Sequence, residues 1–390
     1  MLEFLSLKPE AFGLDIADLS LKIIKLKKGK VLGLASFGEA EIKPGIIEKG
    51  EIKDEDTLAK IIKETIPKVK GEKIKTKYVV VSLPEEKAFL QVIQMPLMGE
   101  EELKKAVYFE AENYIPLPIE DVYLDFQVVK PVLNHLDHYD VLIAALPKNI
   151  VDPYVSCLKK AGLIPKVLEI ESQAIARALI KNEVIPYPLL LIDLGVTKTS
   201  FIIFSGYSVR FTSSFPISSR KFTEAISKKL KINLTEAEDL KMKYGLEGKQ
   251  RLKINPFGKL RVNPEGSRRI KSKTKKEIEG EMIFEAIAPL LKDLVEKIGT
   301  YLTYYHTHVH HEHLPLDSKE VEKILLCGGG ANLKGLTDFL SFELKIPVEL
   351  GNPWVNILPE PLKEVPELSY EKSLSYTTAL GLALRGIKYR

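Results

Sequence analysis

Asp15 and Asp193 each end an apolar run and open onto a tight turn of small, hydroxyl and basic residues. The first stretch reads AFGLDIADLSLKIIKL from Ala11, the second LLLIDLGVTKTSFIIF from Leu189. Backbone N–H groups of such turns converge on an anion, and Gly195 permits close approach because it carries no side chain. The hydroxyls of Ser20, Thr197 and Thr199 and the ammonium groups of Lys22 and Lys198 can add donors to phosphate oxygens. Each aspartate can hold Mg²⁺ through water, because Mg²⁺ keeps much of its hydration shell. Two such hairpins face to face would clamp the phosphates of a nucleotide from both sides.

Two further stretches suit that chemistry. KILLCGGGANLKGL sets Gly328, Gly329, Gly330 and Ala331 between a buried strand and a helix, where bare backbone lets a flat ligand lie near a helix N-terminus. In KVLEIESQAIARAL, Glu171 stands at a strand end before a helix, either as a capping carboxylate or as a carboxylate aimed at a metal-bound water.

The elements that must position these residues follow from periodicity. Each aspartate belongs to the first of three strands in an antiparallel meander, and each meander leads into an amphipathic helix. Leu58, Ile61, Ile62 and Ile66 form the stripe of the first helix; Phe222, Ala225, Ile226 and Leu230 form that of the second. One such unit in each half points to two related α/β domains rather than a solenoid. Between them the pattern predicts a small α/β insert. A helix with three glutamates in its first turn (GEEELKKAVYFEAENYIPLP) precedes the strands DVYLDFQVV and YDVLIAALP. The helix DPYVSCLKKAGL closes it, with Asp152 as N-cap, Pro153 in the first turn and Gly162 as the stop. A long helix is predicted from Glu277, with Ile283, Ile287, Leu291, Leu294 and Ile298 on its buried face.

Composition narrows the function. With 390 residues, 45% apolar and 28% charged, the chain reads as a globular protein of two or more domains. A net charge of +4 on 57 basic and 53 acidic side chains implies no nucleic acid partner. Two cysteines without a CxxC pair offer neither a disulfide framework nor a metal site, so a reducing cytoplasm is expected. No apolar run is long enough to span a bilayer. There is no GxSxG elbow, no GxxxxGK[ST] loop and no HExxH helix. Lys249 to Lys276 holds eleven basic residues and one acid, Glu265, and reads as an exposed loop, solvated or laid on anionic lipid or nucleic acid. HTHVHHEH gathers His306, His308, His310, His311 and His313; the spacing of His306 and His310 would admit zinc, but a solvated, cationic helix end is the simpler reading.

These elements, in this order, resemble the actin-like ATPase superfamily and within it the PilM-like family of type IV pilus assembly, relatives of FtsA. The residues that carry the resemblance are GLDIADLSLK, MPLMGEEELKKAVYFEAENYIPLPIEDVYLDF, LEIESQAIARAL, KFTEAISKKLKINLTEAEDLKMKYG, CGGGANLKGL, GNPW and TALGLALRG, spread over nearly the whole chain. The resemblance implies an α/β, two-lobed actin-like ATPase fold, a ribonuclease H-like duplication with an inserted 1C subdomain. It divides the chain into 1–85 (lobe 1, subdomain 1A), 86–165 (1C), 166–186 (the connecting return to lobe 1), 187–350 (lobe 2, subdomains 2A and 2B) and 351–390 (a segment returning to lobe 1).

By the same resemblance, Asp15, Ser20 and Lys22 form the first phosphate hairpin, and Asp193, Gly195, Thr197, Lys198 and Thr199 the second. Gly328, Gly329, Gly330 and Ala331 form the adenosine loop; Glu238 and Lys241 sit on the adenosine-contacting helix. Glu171 takes the acidic position near the metal and is the candidate catalytic residue. ATP and Mg²⁺ are the implied cofactors, with Asp15 and Asp193 holding the metal through water. Ala17 stands where the family has glycine, and its methyl group would set the phosphates further out, so hydrolysis is expected to be slow at most.

The implied partner is the short cytoplasmic N-terminal tail of a PilN-like membrane protein, bound between subdomains 1A and 1C. Tyr114, Ile115, Pro116 and Leu117 are the candidates for part of that groove, core of the insert being the other reading. Other pilus assembly platform proteins would join it, self-association is allowed, and the protein would reach the cytoplasmic membrane through partners. The alternatives are an FtsA-like filament-forming membrane tether and a sugar kinase on the same fold.

Overall fold

A computed structural model describes residues 10–29, 31–129, 137–246, 275–308, 320–358 and 366–388. The first meander comprises β1 (Phe12–Ala17), β2 (Ser20–Lys28) and β3 (Leu32–Glu41). The short hairpin β4 (Ile47–Glu48) and β5 (Glu51–Ile52) leads into α1 (Glu55–Thr65), where the Asp54 carboxylate caps the helix by accepting from the Thr57 N–H at 2.9 Å. β6 (Lys70–Gly71) and β7 (Tyr78–Leu83) follow. The chain then enters the insert, β8 (Phe89–Pro96), α2 (Glu100–Ala111), β9 (Val122–Val129) and β10 (His138–Pro147). It returns through α3 (Lys148–Lys160), β11 (Ile164–Ile170) and α4 (Glu171–Leu179).

The second half repeats the plan. β12 (Ile185–Leu194), β13 (Thr199–Gly206) and β14 (Ser208–Phe215) form its meander, followed by α5 (Ser219–Leu230), α6 (Leu234–Tyr244) and α7 (Lys275–His308). Then come β15 (Lys323–Cys327), α8 (Leu336–Leu344), β16 (Val348–Leu350), α9 (Tyr370–Leu374) and α10 (Thr377–Lys388).

The two large sheets share one topology. In lobe 2 the order is β14-β13-β12-β15-β16; in lobe 1 the order β3-β2-β1-β7-β11 matches it strand for strand, with β6 added at the β3 edge. In both, the meander pairs antiparallel and the last two strands pair parallel. The insert is a separate three-stranded sheet, β8-β10-β9. Its core lies between that sheet and α2, with Leu103, Val107 and Ala111 facing Ile93, Val141 and Ile143.

Each lobe buries its own core. Ile283, Ile287, Leu291, Leu294 and Ile298 of α7 are buried against lobe 2, each contributing roughly 1.5–3 kcal/mol on burial. α10 returns to lobe 1 and packs on α4, β1 and β2. That contact requires bare backbone: a Cβ on Gly381 would sit 1.8 Å from the Ala174 carbonyl oxygen, and one on Gly13 would sit 2.5 Å from that of Ala379.

One predicted helix start is corrected. α3 begins at Lys148, not after Asp152, so Asp152 is no N-cap; its carboxylate accepts from the Tyr123 hydroxyl at 2.9 Å. The cause is tertiary. The stripe Ile150, Val151, Tyr154, Cys157, Leu158 is buried in the lobe 1 core, which draws the helix upstream and leaves Pro153 inside it. α3 therefore packs in the core of lobe 1. Gly162 ends the helix as expected, at φ +79.

Candidate functional site: a charged cleft between the lobes

At the first hairpin, Asp15 pairs with Lys22 and Ala17 with Ser20, leaving a two-residue turn. Ser82, at the end of β7, holds the aspartate in place: its hydroxyl donates to Asp15 Oδ1 at 3.0 Å and accepts from the Ile16 N–H at 3.0 Å. Lys22 Nζ donates to Ser20 Oγ at 3.1 Å. Asp18 braces the turn from outside by accepting from the Gly50 N–H at 2.9 Å.

The second hairpin has a wider turn. Leu194 pairs with Thr199, so Gly195 to Lys198 form a four-residue loop, closed by a Gly195 N–H to Lys198 carbonyl bond of 2.9 Å. α5 supports it from behind: the Ser219 N–H donates to the Gly195 carbonyl at 3.0 Å and the Arg220 N–H to that of Val196 at 3.3 Å. Thr197 lies on this loop, partly exposed. Thr199 does not face the cleft with a free hydroxyl; it is fully buried and donates to the Ile217 carbonyl at 2.6 Å.

The glycine loop lies directly against this hairpin. Cys327 pairs with Asp193 in parallel register, which brings Gly328 over the carboxylate. Gly328 has φ +81, and a Cβ there would lie 2.2 Å from Asp193 Oδ1, so only glycine fits. A Cβ on Gly330 would lie 2.6 Å from Leu194 Cγ, and Ala331 is buried beside it, while Gly329 is partly exposed.

Lys241 acts at one remove. Its ammonium is buried and donates to Ser219 O (3.1 Å), Ser219 Oγ (2.8 Å), Thr223 Oγ1 (2.9 Å) and Glu238 Oε2 (2.7 Å). It ties α6 to the start of α5, and through Ser219 to the Gly195 turn. Glu238 also accepts from Thr223 in a short hydrogen bond and keeps its side chain about half exposed.

Glu171 joins the lobes. It is the first residue of α4, and its Oε2 pairs with Lys198 Nζ of the opposite lobe at 2.9 Å. The same oxygen accepts from the Glu85 N–H at 3.2 Å, and Glu85 Oε2 accepts from the Ser172 N–H at 3.0 Å. Ser82 and Glu85 were missed in the sequence. The only signal was a polar residue at the end of the apolar run YVVVSL and an acidic pair just after it.

The result is one electrostatic unit. Burial raises the Asp15 carboxyl above its ordinary range, with Glu171 adding to the rise and Lys22 opposing it. Asp193 is pushed up to about 7 by burial and by the charges of Glu171 and Asp15. Burial alone would depress Lys198, but Glu171 and Glu86 lift it above its usual range. Three carboxylates thus share a recess with two ammonium groups, an excess of negative charge that a divalent cation would relieve. Among the described residues no three His, Cys, Asp or Glu are placed to ligate a metal directly. Asp15 and Asp193, each at the strand end of its hairpin, are carboxylates of the kind that would suit a hydrated Mg²⁺.

A second feature lies at the junction of lobe 1 and the insert. A groove of about 490 Å³ runs between β9, the edge of the insert sheet, and β11, the edge of the lobe 1 sheet. Leu124, Phe126, Leu142, Val151, Leu168 and Ile170 give it an apolar lining. Tyr114, Ile115, Pro116 and Leu117 are not among its lining residues. Ile115 is buried in the core of the insert, Pro116 and Leu117 are exposed, and Tyr114 lines another cavity, beside Arg210 and Tyr304. His306 and His308 lie at the exposed end of α7, His308 stacked on Tyr304 at 4.3 Å; His310, His311 and His313 fall outside the described residues. So does the basic segment, apart from its last residues in α7.

Two α/β lobes of one topology, each presenting an aspartate-bearing hairpin to a shared cleft, together with a glycine loop and an inserted subdomain, define an actin-like ATPase fold. The chain belongs to the type IV pilus assembly protein PilM family, which its residues 13–263 match. Residues 190–381 also match the cell division protein FtsA family. Its fold is similar to the solved PilM–PilN type IV pilus biogenesis complex, with a TM-score of 0.75 and 28% identity over 97% of this chain and 99% of that one. The ethanolamine utilization protein EutJ from Carboxydothermus hydrogenoformans shares the fold at a TM-score of 0.52 and 13% identity, covering 97% of this chain and 90% of that one. FtsA of Enterococcus hirae is 23% identical over 222 residues, 55% of this chain and 46% of that protein, so the match spans less than half of that relative's length.

Proposed function

We propose that this type IV pilus assembly protein binds ATP–Mg²⁺ in the cleft between its lobes and docks the cytoplasmic tail of a PilN-like membrane protein, as a nucleotide-dependent adaptor rather than a fast ATPase. The observation that carries the reading is the convergence of Asp15, Lys22, Glu171, Asp193 and Lys198 from two matching hairpins and α4 on one recess. Lys22, Lys198, Ser20, Thr197 and the turn amides hold the phosphates; Asp15 and Asp193 hold hydrated Mg²⁺. The backbone of Gly328 to Ala331 receives the adenosine, and Glu238 stands at the edge of the same lobe. Lys241 and Thr199 serve by fixing the second hairpin.

Slow hydrolysis agrees with Ala17 in the first hairpin, paired with Ser20 at the turn, whose methyl group would set the phosphates further out.

The β9–β11 groove suits an extended tail. Both bounding strands are sheet edges, whose outward N–H and C=O groups can pair with an added strand, while the apolar lining receives alternate side chains. No helix among the described residues is long and apolar enough to cross a membrane.

Equilibrium titration tests both halves. Saturable binding of ATP in the presence of Mg²⁺, weakened at least about tenfold by Lys198→Ala, supports the cleft assignment. Binding of a synthetic tail peptide, lost in Phe126→Asp, supports the groove. Wild-type protein that ignores millimolar ATP–Mg²⁺, or takes up tail peptide unchanged when Phe126 is replaced, rejects the corresponding half.

A further inference from the structure

The nucleotide cleft and the groove meet in the first turn of α4. Glu171 begins that helix in the cleft, and Gln173, two residues on, lines the groove beside Ile170. Between them Ser172 donates its N–H to Glu85. The bonding is reciprocal: each of the two glutamates accepts a backbone N–H from the other's segment, Glu171 at 3.2 Å and Glu85 at 3.0 Å. The two segments are thereby tied to each other.

Glu85 is only 4% exposed, and a carboxylate buried this deeply is costly unless its hydrogen bonds hold it. Burial raises its carboxyl above the ordinary range, with Ser172 and Thr212 of β14 pulling the other way. Its position explains the arrangement. Glu85 opens the single turn Glu85–Lys87 through which the chain passes from β7 into β8 of the insert. The far side of the insert is fixed to lobe 2 by a buried ion pair, Arg210 Nη1 to Asp140 Oδ2 at 2.6 Å. A shift at Glu85 would therefore bear on the strand that enters the insert, whose other end is held against lobe 2 by this ion pair.

The trigger is Lys198. Its ammonium pairs with Glu171 at 2.9 Å, yet it sits on the hairpin turn where phosphate oxygens would arrive. A phosphate carries more negative charge than Glu171 and competes for the same ammonium.

We propose that Glu85 is a positioning residue that couples occupancy of the nucleotide cleft to the geometry of the partner groove: Lys198 exchanges Glu171 for phosphate, and the Glu171–Glu85 pair passes the shift to the turn entering the insert. The inference rests on the cleft and groove assignments above and assigns their regulation.

The test uses the full chain with three variants. Glu85→Gln keeps an oxygen that accepts the Ser172 N–H; Glu85→Ala removes it; Glu85→Met removes it while conserving volume. Tail-peptide affinity is measured with and without ATP–Mg²⁺, and amide hydrogen exchange across Val122–Val129 is measured on adding ATP–Mg²⁺ alone. Wild type and Glu85→Gln should show at least about a fivefold nucleotide effect on tail affinity and a change in β9 exchange. Glu85→Ala and Glu85→Met should bring the affinity ratio to within about twofold of unity and silence the exchange response, with ATP affinity within about threefold of wild type. Coupling that survives in a folded Glu85→Ala or Glu85→Met protein overturns the proposal, as does a wild type whose β9 exchange ignores bound nucleotide. Failure of the tail to bind while β9 still responds rejects only the partner assignment. Failure of ATP–Mg²⁺ to bind rejects both.

Discussion

Replacing Asp193 with asparagine should stabilise the nucleotide-free protein and at the same time abolish its hold on ATP–Mg²⁺. Burial and the charges of Glu171 and Asp15 raise its carboxyl from 3.8 to about 7. A carboxyl raised in the folded state binds its proton more tightly there than in the unfolded chain. Its stabilising contribution is therefore greatest below the unfolded value and is lost as pH rises to about 7 and beyond. A rise from 3.8 to about 7 sets an upper bound of ~4 kcal/mol between acid and neutral pH. Partial exposure to the cleft and rearrangement of Lys22 and Lys198 reduce this to ~1–2 kcal/mol. Asparagine keeps the shape and lacks the charge. Asp193→Asn should accordingly melt roughly 2 °C or more above wild type at about pH 8, and close to it at about pH 5. Wild type alone should lose stability across that interval through this group. Thermal and urea denaturation at the two pH values, with and without ATP–Mg²⁺, make the measurement. Nucleotide should stabilise wild type and leave the variant unmoved. A variant less stable than wild type at the higher pH, or a difference that does not depend on pH, refutes the electrostatic reasoning.

Gly328→Ala places a Cβ 2.2 Å from Asp193 Oδ1 at φ +81, so it should cost about 1–3 kcal/mol in stability and at least about tenfold in ATP affinity, read by denaturation and titration. Arg210→Met removes the 2.6 Å partner of the buried Asp140 and leaves His138 Nε2 at 3.5 Å, so it should destabilise by about 2–4 kcal/mol, whereas the double replacement with Asp140→Leu should recover most of the loss in urea melts. Leu168→Asp sets a charge in the β9–β11 groove and should abolish capture of the tail peptide while leaving ATP affinity unchanged.

The duplicated hairpins were legible because each rests on local pattern: apolar alternation, an aspartate at a fixed place, glycine at the reversals. The buried strand that follows Glu322 and the glycines after it were legible for the same reason; its parallel pairing with β12 was not. What escaped were partners set by the tertiary fold. Thr199 looks like a phosphate ligand until Ile217, 18 residues on, takes its hydroxyl. Lys241 looks like a cation aimed at adenosine until α5 buries it with three acceptors and Glu238 of its own helix adds a fourth. Ser82 gains its meaning only from Asp15, 67 residues away, and Glu85 only from Glu171, 86 away. The groove escaped for a different reason. It is formed by two sheet edges that meet only when the insert folds beside lobe 1, and no stretch of sequence, YIPLP included, announces that meeting.

The most direct test of the cleft is a crystal structure grown with saturating ATP and Mg²⁺. The triphosphate should lie between the Asp18–Leu19 turn and the Val196–Lys198 turn, with its metal in water contact with Asp15 and Asp193 and Lys198 Nζ moved from Glu171 to a phosphate oxygen. Nucleotide bound elsewhere, or a cleft still closed by the Lys198–Glu171 pair at saturating ligand, would contradict the account.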